Sequence, residues 1–480
     1  MKLIVMSDLG AKPTRVGTLL NNNRPAGVHH IVNIANNYGV DAEAIDYWKD
    51  WPEELLIESI VSFFGDDPTC WISLSGSIDG SSTEAFKELV VKIKKHCPVK
   101  VMLGGYRVTV GDSSWVDLAF MGRCTNIFTD WLEGKDLDQY VHSTNPLTYK
   151  NPDKIIRETA VSVVPKENDF WSPRETMSLE MALGCKFNCS FCGYDYRGNK
   201  NSVFVDRELL TETMQTAYDK FGIKHFYLAD DTMNEIDDKL ELLGDVCEDL
   251  TFEPDLMGFI RLDVLGGQPH QIELIKRANI KSMFFGIESF STNVTKLIRK
   301  GGKPEKNMDT LAKIRDEYPD LFTYGNFIIG LTGDSEKDIR YYAEKVVNEQ
   351  LLTSAGSNTL RLYQGLDNTE IMSDIDLNPK KFGYEVIGTD RAWPELGYSS
   401  QSWANDWTSS TEAGRITSWL EDYYDTNLQS RYTAHEFQSI KSCLPGLSHA
   451  EYNMALPAHN TRRTKLVQKY IKQKSAYLIG

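Results

Sequence analysis

Three of the eight cysteines fall within eight positions, at Cys185, Cys189 and Cys192. Such crowding points to metal or redox chemistry and away from a disulfide framework. The pattern is C-x3-C-x2-C, and soft thiolates suit zinc or an iron–sulfur cluster. Ligand number separates the two. Structural zinc closes its tetrahedron with four protein ligands, yet no histidine follows nearby and the next cysteine is Cys247. A [4Fe–4S] cluster on three cysteines keeps one iron open for a substrate or cofactor. A zinc-stabilised binding module and an iron–sulfur electron carrier are the alternatives, and iron content and cofactor cleavage distinguish them.

The elements that must position these thiolates read as a β/α series over 174–365. Strands are expected at 178–183, 225–231, 256–263, 282–289, 324–331 and 358–363, with crossover helices such as 206–221 and 304–317. Six parallel strands make a partial (β/α)6 TIM-like barrel, with the cysteine loop directly after its first strand. At period two, one parity is large and apolar, as in Met283, Phe285 and Ile287. The other is mostly polar or small, as in Asp231, Arg261, Gly286, Glu288 and Asn326, and also holds Tyr227 and Ile328. Apolar side chains outward and polar ones inward are what a barrel with a ligand in its mouth requires. Inward charges also need partners or ligand, and Arg261 with Asp263 or Glu288 reads equally well as an internal ion pair.

Residues 1–145 alternate short apolar runs with helical patterns. Strands are expected at 3–8, 42–47, 71–77, 100–105 and 117–121, and helices at 27–39, 52–64, 82–96 and 124–141. This is a doubly wound Rossmann-like domain, whose ligands lie beyond the strand C-termini. Asp8, Ser75-Gly76-Ser77, Gly104-Gly105 and Gly122 stand there. Residues 146–173, with Pro146, Pro152, Pro165 and Pro173, form a linker. Residues 366–480 read as mainly helical, and the basic stretch 461–474 as a solvated helix face in preference to an anion site.

The cysteine motif and its setting resemble the radical S-adenosylmethionine (SAM) superfamily. Phe191 stands where that family carries an aromatic residue before its third cysteine. Leu228-Ala-Asp-Asp-Thr232, Phe285-Gly-Ile-Glu-Ser289, Arg299-Lys-Gly301 and Asn326-Phe-Ile-Ile-Gly-Leu-Thr-Gly333 are similar to the signatures of one branch. That branch joins the barrel to an N-terminal cobalamin-binding-type domain. The resemblance implies an enzyme whose [4Fe–4S] cluster, on Cys185, Cys189 and Cys192, reductively cleaves SAM to a 5′-deoxyadenosyl radical. It implies SAM contacts from Phe191, from Asp231 or Asp230 to the ammonium, from Glu288 to the ribose or amine, from Ile328 and Gly330 to adenine, and from Arg261 to the carboxylate or the substrate. Tyr363, Gln364 and the loop Tyr194-Asp-Tyr196 are candidates for the substrate, a small molecule or peptide. An electron donor such as flavodoxin or ferredoxin is implied as well.

The same likeness places a corrinoid against Ser75, Gly104 and Gly105, with methyl transfer as the added reaction. The Asp-x-His-x-x-Gly motif that carries a lower cobalt ligand is missing, and Ser7-Asp-Leu-Gly10 follows the first strand instead. Either the corrinoid binds without a protein imidazole or the domain is a scaffold that has lost it. His29 and His30 read as helix-capping or surface residues. Cys70, Cys97 and Cys124 bear on a second cluster, as in the methylthiotransferase branch, but read better as lone buried thiols.

A formal net charge of −16 argues against nucleic acid as a partner. No apolar run is long enough for a transmembrane helix. The opening residues read as a strand and not as a signal peptide, so a cytoplasmic protein is expected.

Overall fold

The computed structural model describes every residue except 8–10, 15–16, 76–79, 106–113, 143–144, 151–162, 195–196, 201–202, 366–371 and 394–397. Asp8, Gly10, Gly76, Ser77, Pro152, Asp195 and Tyr196, named above, therefore lie outside the described residues.

The N-terminal half forms parallel strands buried on both faces, as parallel sheets require, apolar except for β2, which carries the buried acids Glu43 and Asp46. They are β1 (Lys2–Ser7), β2 (Asp41–Asp46), β3 (Cys70–Ser75), β4 (Val99–Gly105) and β5 (Leu118–Met121). A sixth parallel strand, β6 (Asn145–Lys150), continues the sheet beyond position 145, where the sequence places the start of a linker. The order is β2-β1-β3-β4-β5-β6, with Val141–His142 antiparallel at the edge. The strand order reverses at β1, with β2 on one side of it and β3 on the other, and doubly wound sheets bind ligands at the strand C-termini beside such a switch point.

The second sheet holds six parallel strands: β7 (Thr176–Leu179), β8 (His225–Leu228), β9 (Asp255–Ile260), β10 (Ile280–Glu288), β11 (Phe322–Ile329) and β12 (Ser354–Thr359). They run β12-β11-β10-β9-β8-β7. Asn23–Arg24, contributed by the N-terminal domain, then pairs in parallel with β7. Outward-facing Leu228, Ile260, Phe285 and Ile329 lie in the core against the helices. Inward-facing Tyr227, Phe259, Phe284, Gly286, Asn326 and Ile328 remain partly accessible. The apolar parity thus faces the helices as expected, but the inner face is not only small and polar: Tyr227, Phe259 and Phe284 place large aromatic rings there.

Three segments depart from expectation. β7 stops at Leu179, because the Asp230 carboxylate takes the N–H groups of Met181 and Ala182, at 3.0 and 2.7 Å. Ala182–Leu183 then pairs antiparallel with Val203–Phe204. Residues Leu262–Gly267 form a helical turn. Residues Leu362–Gly365 leave the barrel for a three-stranded antiparallel sheet with Glu385–Trp393 and Tyr398–Ala404. The C-terminal region therefore begins with a sheet before turning helical.

Helix α1 (Ala26–Asn37) and the C-terminal helices α2 (Ala434–Cys443) and α3 (Leu456–Ile479) bind the parts together. α2 packs on β7 to β11, and its His435 ring meets Tyr227, Phe259 and Phe284 at 4.8, 5.2 and 5.6 Å. α3 returns to the first domain. Its basic stretch is not simply a solvated face: Lys474 is buried on Glu43, and Arg463 on Asp50.

His29 is neither a surface residue nor a cap. It is 2% exposed, with Nε2 3.1 Å from Asp46 and Nδ1 3.5 Å from Asp169. Beside it Arg24 is clamped by Glu175 and stacks between Trp171 and Tyr470. Burial opposes the charge on His29, but the two carboxylates outweigh it and raise its pKa from 6.5 to about 9. A folded-state pKa above the unfolded one gives stability that is complete below pH 6.5 and lost as pH rises through about 9. The wild-type denaturation midpoint should therefore fall between pH 6.5 and 9.5 more steeply than that of His29→Gln. Parallel slopes in the two proteins would contradict a charged His29.

Candidate functional site

The loop after the first barrel strand is tied from several directions. Ser190 N–H donates to Ile298 O at 2.9 Å, Cys192 N–H to Cys189 O at 3.1 Å, and Gly198 N–H to Phe187 O at 2.8 Å. Lys186 N–H donates to the Glu235 carboxylate at 2.9 Å. These bonds hold Cys185, Cys189 and Cys192 on one cavity of about 210 Å³. Its other walls are Phe187, Phe191, Tyr194, Asp231, Thr232, Arg261 and the strand residues Phe259, Ile260, Phe284, Gly286 and Glu288, with Lys300.

The donor set fits an iron–sulfur cluster. Burial pushes the Cys192 thiol up to about 12 and raises that of Cys185. Such thiols ionise only against a strong local positive charge, which bound metal supplies. Among the described residues no three His, Cys, Asp or Glu side chains converge as a site for a single metal ion.

Opposed charges line the mouth. The register of β10 against β11 shifts between Gly286 and Glu288, and Glu288 adopts φ +66°. This bulge turns its carboxylate inward. A Cβ on Gly286 would stand 2.6 Å from Glu288 Oε1, so glycine leaves the space that the carboxylate uses. Lys300 Nζ holds Glu288 Oε1 at 2.8 Å and lies 5.7 Å over the Phe191 ring. Arg123 donates to both Glu180 oxygens. Arg261 is paired with Asp263 at 2.8 Å, lies 3.8 Å over Phe187, and points Nη1 at Cys189 Sγ, 3.2 Å away.

Asp231 differs from these acids: among the described residues it has no ion-pair partner within 4 Å. Burial raises its pKa to about 6, against the hydrogen bond from Tyr194 and the charge of Arg123. Asp230 faces backbone N–H groups instead, and burial raises it to about 7. Of the two aspartates, Asp231 is the one on the cavity.

Residues 179–346 match the family model of the radical SAM superfamily. The barrel is a radical SAM domain. A radical S-adenosylmethionine methyltransferase, TsrM from Kitasatospora setae, superposes on nearly the whole chain. The TM-score is 0.66, at 11% identity over 97% of this chain and 100% of that one. The cobalamin-dependent S-adenosylmethionine radical enzyme OxsB follows, with TM-score 0.59 and 13% identity over 99% of this chain and 79% of that one. At these identities the likeness establishes the fold. By sequence, the ribosomal protein uS12 methylthiotransferase RimO of Pseudomonas fluorescens is 23% identical over 309 residues, 61% of this chain and 66% of that protein. RimO of Francisella tularensis subsp. novicida is 25% identical over 231 residues, 42% and 51% respectively. The match thus spans about half to two thirds of these curated relatives.

Within the radical SAM domain, Phe191, Asp231, Arg261 and Glu288 meet the three cysteines on one cavity, as does Tyr194. Ile328 and Gly330 are not on that lining. Gly330 lies beneath Trp403, and its carbonyl accepts from Tyr384 and Asn405 at 3.0 and 2.9 Å. Tyr363 and Gln364 belong to the separate antiparallel sheet. Lys300 escaped the sequence reading, although it stands within the Arg299-Lys-Gly301 motif.

Ser75, Gly104 and Gly105 are half-buried at neighbouring strand ends, with Ser75 opposite Gly104. A Cβ on Gly104 would meet nothing within 4 Å. His30 is turned to Thr125 and His29 is spent on its carboxylates. Cys70 and Cys97 lie in one core and Cys124 in the core on the other side of the sheet, so these three do not assemble a second cluster.

Proposed function

We propose that this radical SAM protein carries a [4Fe–4S] cluster on Cys185, Cys189 and Cys192, SAM across the barrel mouth, and a corrinoid on the strand ends of the first sheet. With these it methylates or otherwise modifies a small molecule by radical chemistry. The observation that carries the reading is the Arg123–Glu180 ion pair. Arg123 follows the C-terminus of β5 and Glu180 that of β7. The C-terminal strand ends of the two sheets therefore meet at this ion pair, whose charges act on Asp231 of the cysteine cavity. In support, TsrM has been solved with cobalamin and a [4Fe–4S] cluster, and with a tryptophan substrate and a SAM analogue. OxsB has been solved with aqua-cobalamin and SAM.

When bound, the cluster supplies the electron that splits the SAM sulfonium into methionine and a 5′-deoxyadenosyl radical, and the corrinoid supplies a methyl carrier. The chain's own residues do the positioning. Asp231, the acid without a cation, receives the SAM ammonium as a charge-assisted hydrogen bond, while Tyr194 fixes its orientation. Glu288, held by Lys300, presents a carboxylate edge to the ribose or amine. Phe187, Phe191, Phe259 and Phe284 exclude water around them, which a reactive radical needs. Without an imidazole at the strand ends, a corrinoid would rest on backbone and on Gly104.

Anaerobic protein supplied with iron, sulfide and hydroxocobalamin tests this. About four irons and one cobalt per chain are expected, with 5′-deoxyadenosine released on reduction in the presence of SAM. Gly104→Leu should leave iron and stability intact while weakening cobalamin binding about ten- to a hundredfold, from a clash of about 1–3 kcal/mol. Wild-type protein that retains iron but takes up no cobalt would show the first sheet to be a scaffold.

A further inference from the structure

We propose that Arg261 and Asp263 form a redox-setting clamp on the cluster, with Arg261 raising its reduction potential through Cys189 and Asp263 holding that value in check. This rests on the cluster assignment made above.

The guanidinium is fixed on every side. Nε and Nη2 bind the two Asp263 oxygens at 3.0 and 2.8 Å, which leaves Nη1 directed at Cys189 Sγ at 3.2 Å. The Phe187 ring covers its face at 3.8 Å. Its backbone is held as firmly, since Arg261 N–H donates to Asn234 Oδ1 at 2.7 Å and Arg261 O accepts from Asn234 Nδ2 at 3.0 Å. Both side chains are largely buried, at 9% exposure each.

The glycine pair after Lys300 makes room for this clamp. A Cβ on Gly301 would stand 2.7 Å from Asp263 Oδ2, and one on Gly302 would stand 2.9 Å from Asp263 Cβ. The loop that carries Lys300 toward Glu288 thus also seats Asp263 under Arg261. An internal ion pair alone would not need the third guanidinium nitrogen on a ligand sulfur.

Reduction adds a negative charge that spreads onto the ligand sulfurs. An N–H aimed at such a sulfur stabilises the reduced form and raises the potential. The Asp263 carboxylate one hydrogen bond away opposes this, and burial strengthens both effects. Neutralising each partner therefore moves the potential in opposite senses.

The test is a potentiometric titration followed by electron paramagnetic resonance on anaerobically reconstituted full-length protein, without SAM. Arg261→Met should shift the midpoint to a more negative value than wild type, and Asp263→Asn to a less negative one. Arg261→Lys, which keeps the charge but loses the fork, should lie between wild type and Arg261→Met. Iron is counted in each variant, and if Arg261→Met loses its cluster the opposed order of Asp263→Asn and Arg261→Lys about wild type decides. Midpoints that do not move in proteins with full iron overturn the proposal and leave the cluster assignment standing. So does weaker SAM binding with the SAM-free midpoint unchanged, which would make Arg261 a SAM ligand only. A wild-type chain that takes up no iron defeats the cluster assignment itself.

Discussion

Replacing Cys185, Cys189 or Cys192 singly by alanine is expected to lower iron from about four per chain to less than one. It should also remove 5′-deoxyadenosine formation, a fall of about a thousandfold or more from an activity with no alternative electron path. The three effects should be alike, because two thiolates on this cavity cannot hold the cluster that three hold. Alanine at Cys247 or Cys443 should leave iron unchanged. These thiols are buried and directed at the carbonyls of Ala278 and His459. Iron analysis and the charge-transfer absorbance of the reconstituted proteins check both halves. Retention of a full cluster by any one of the three single variants would show that another side chain ligates iron.

Gly330→Ala is expected to destabilise the protein by about 2–5 kcal/mol. Gly330 has φ +103°, a conformation that costs a residue with a Cβ about 1–2 kcal/mol. The new carbon would also stand 2.3 Å from Trp403 Cη2 and 2.8 Å from Cζ2. Trp403 is fully buried, with Nε1 donating to Leu360 O at 3.0 Å, so it has no room to yield. Overpacking of this kind adds about 1–3 kcal/mol. A denaturant midpoint well below wild type would show that Gly330 seats the C-terminal sheet on the barrel. Normal stability with impaired SAM binding would return Gly330 to the role that the family resemblance implies.

Where burial decides structure, the sequence was readable. β1 and β3 to β5 are largely apolar runs, and β10 and β11 alternate toward their C-terminal ends, where outer faces meet helices and inner faces meet the cavity; β2 carries Asp41, Glu43 and Asp46 and is set by its pairing with β1. Where distant polar partners decide it, local pattern was silent. The end of β7 depends on Asp230, some fifty residues later in the chain. The Asn23–Arg24 strand is two polar residues long, and its place in the barrel sheet follows from Arg24 finding Glu175 and Asp46. The burial of His29 needs Asp169, which lies beyond the whole first sheet. The hairpin of Glu385–Trp393 and Tyr398–Ala404 mixes aromatic and polar residues without clean alternation, and its shifted register includes two irregular steps. Among site residues, the cysteines announced themselves by spacing and Asp231 and Glu288 by strand parity. Lys300 lies on a loop, where periodicity carries no information. Its place over Phe191 emerges only when β10 brings Glu288 to meet it.

The central claim is that three thiolates hold a cluster whose fourth iron is open to SAM. Resonance spectra of the reduced wild-type protein, recorded with and without SAM, test it most directly. Binding of the amino and carboxylate groups at that iron should change the g-values of the [4Fe–4S] signal. Spectra unaffected by saturating SAM, from protein with four irons per chain, would mean that the corner is closed and the account wrong.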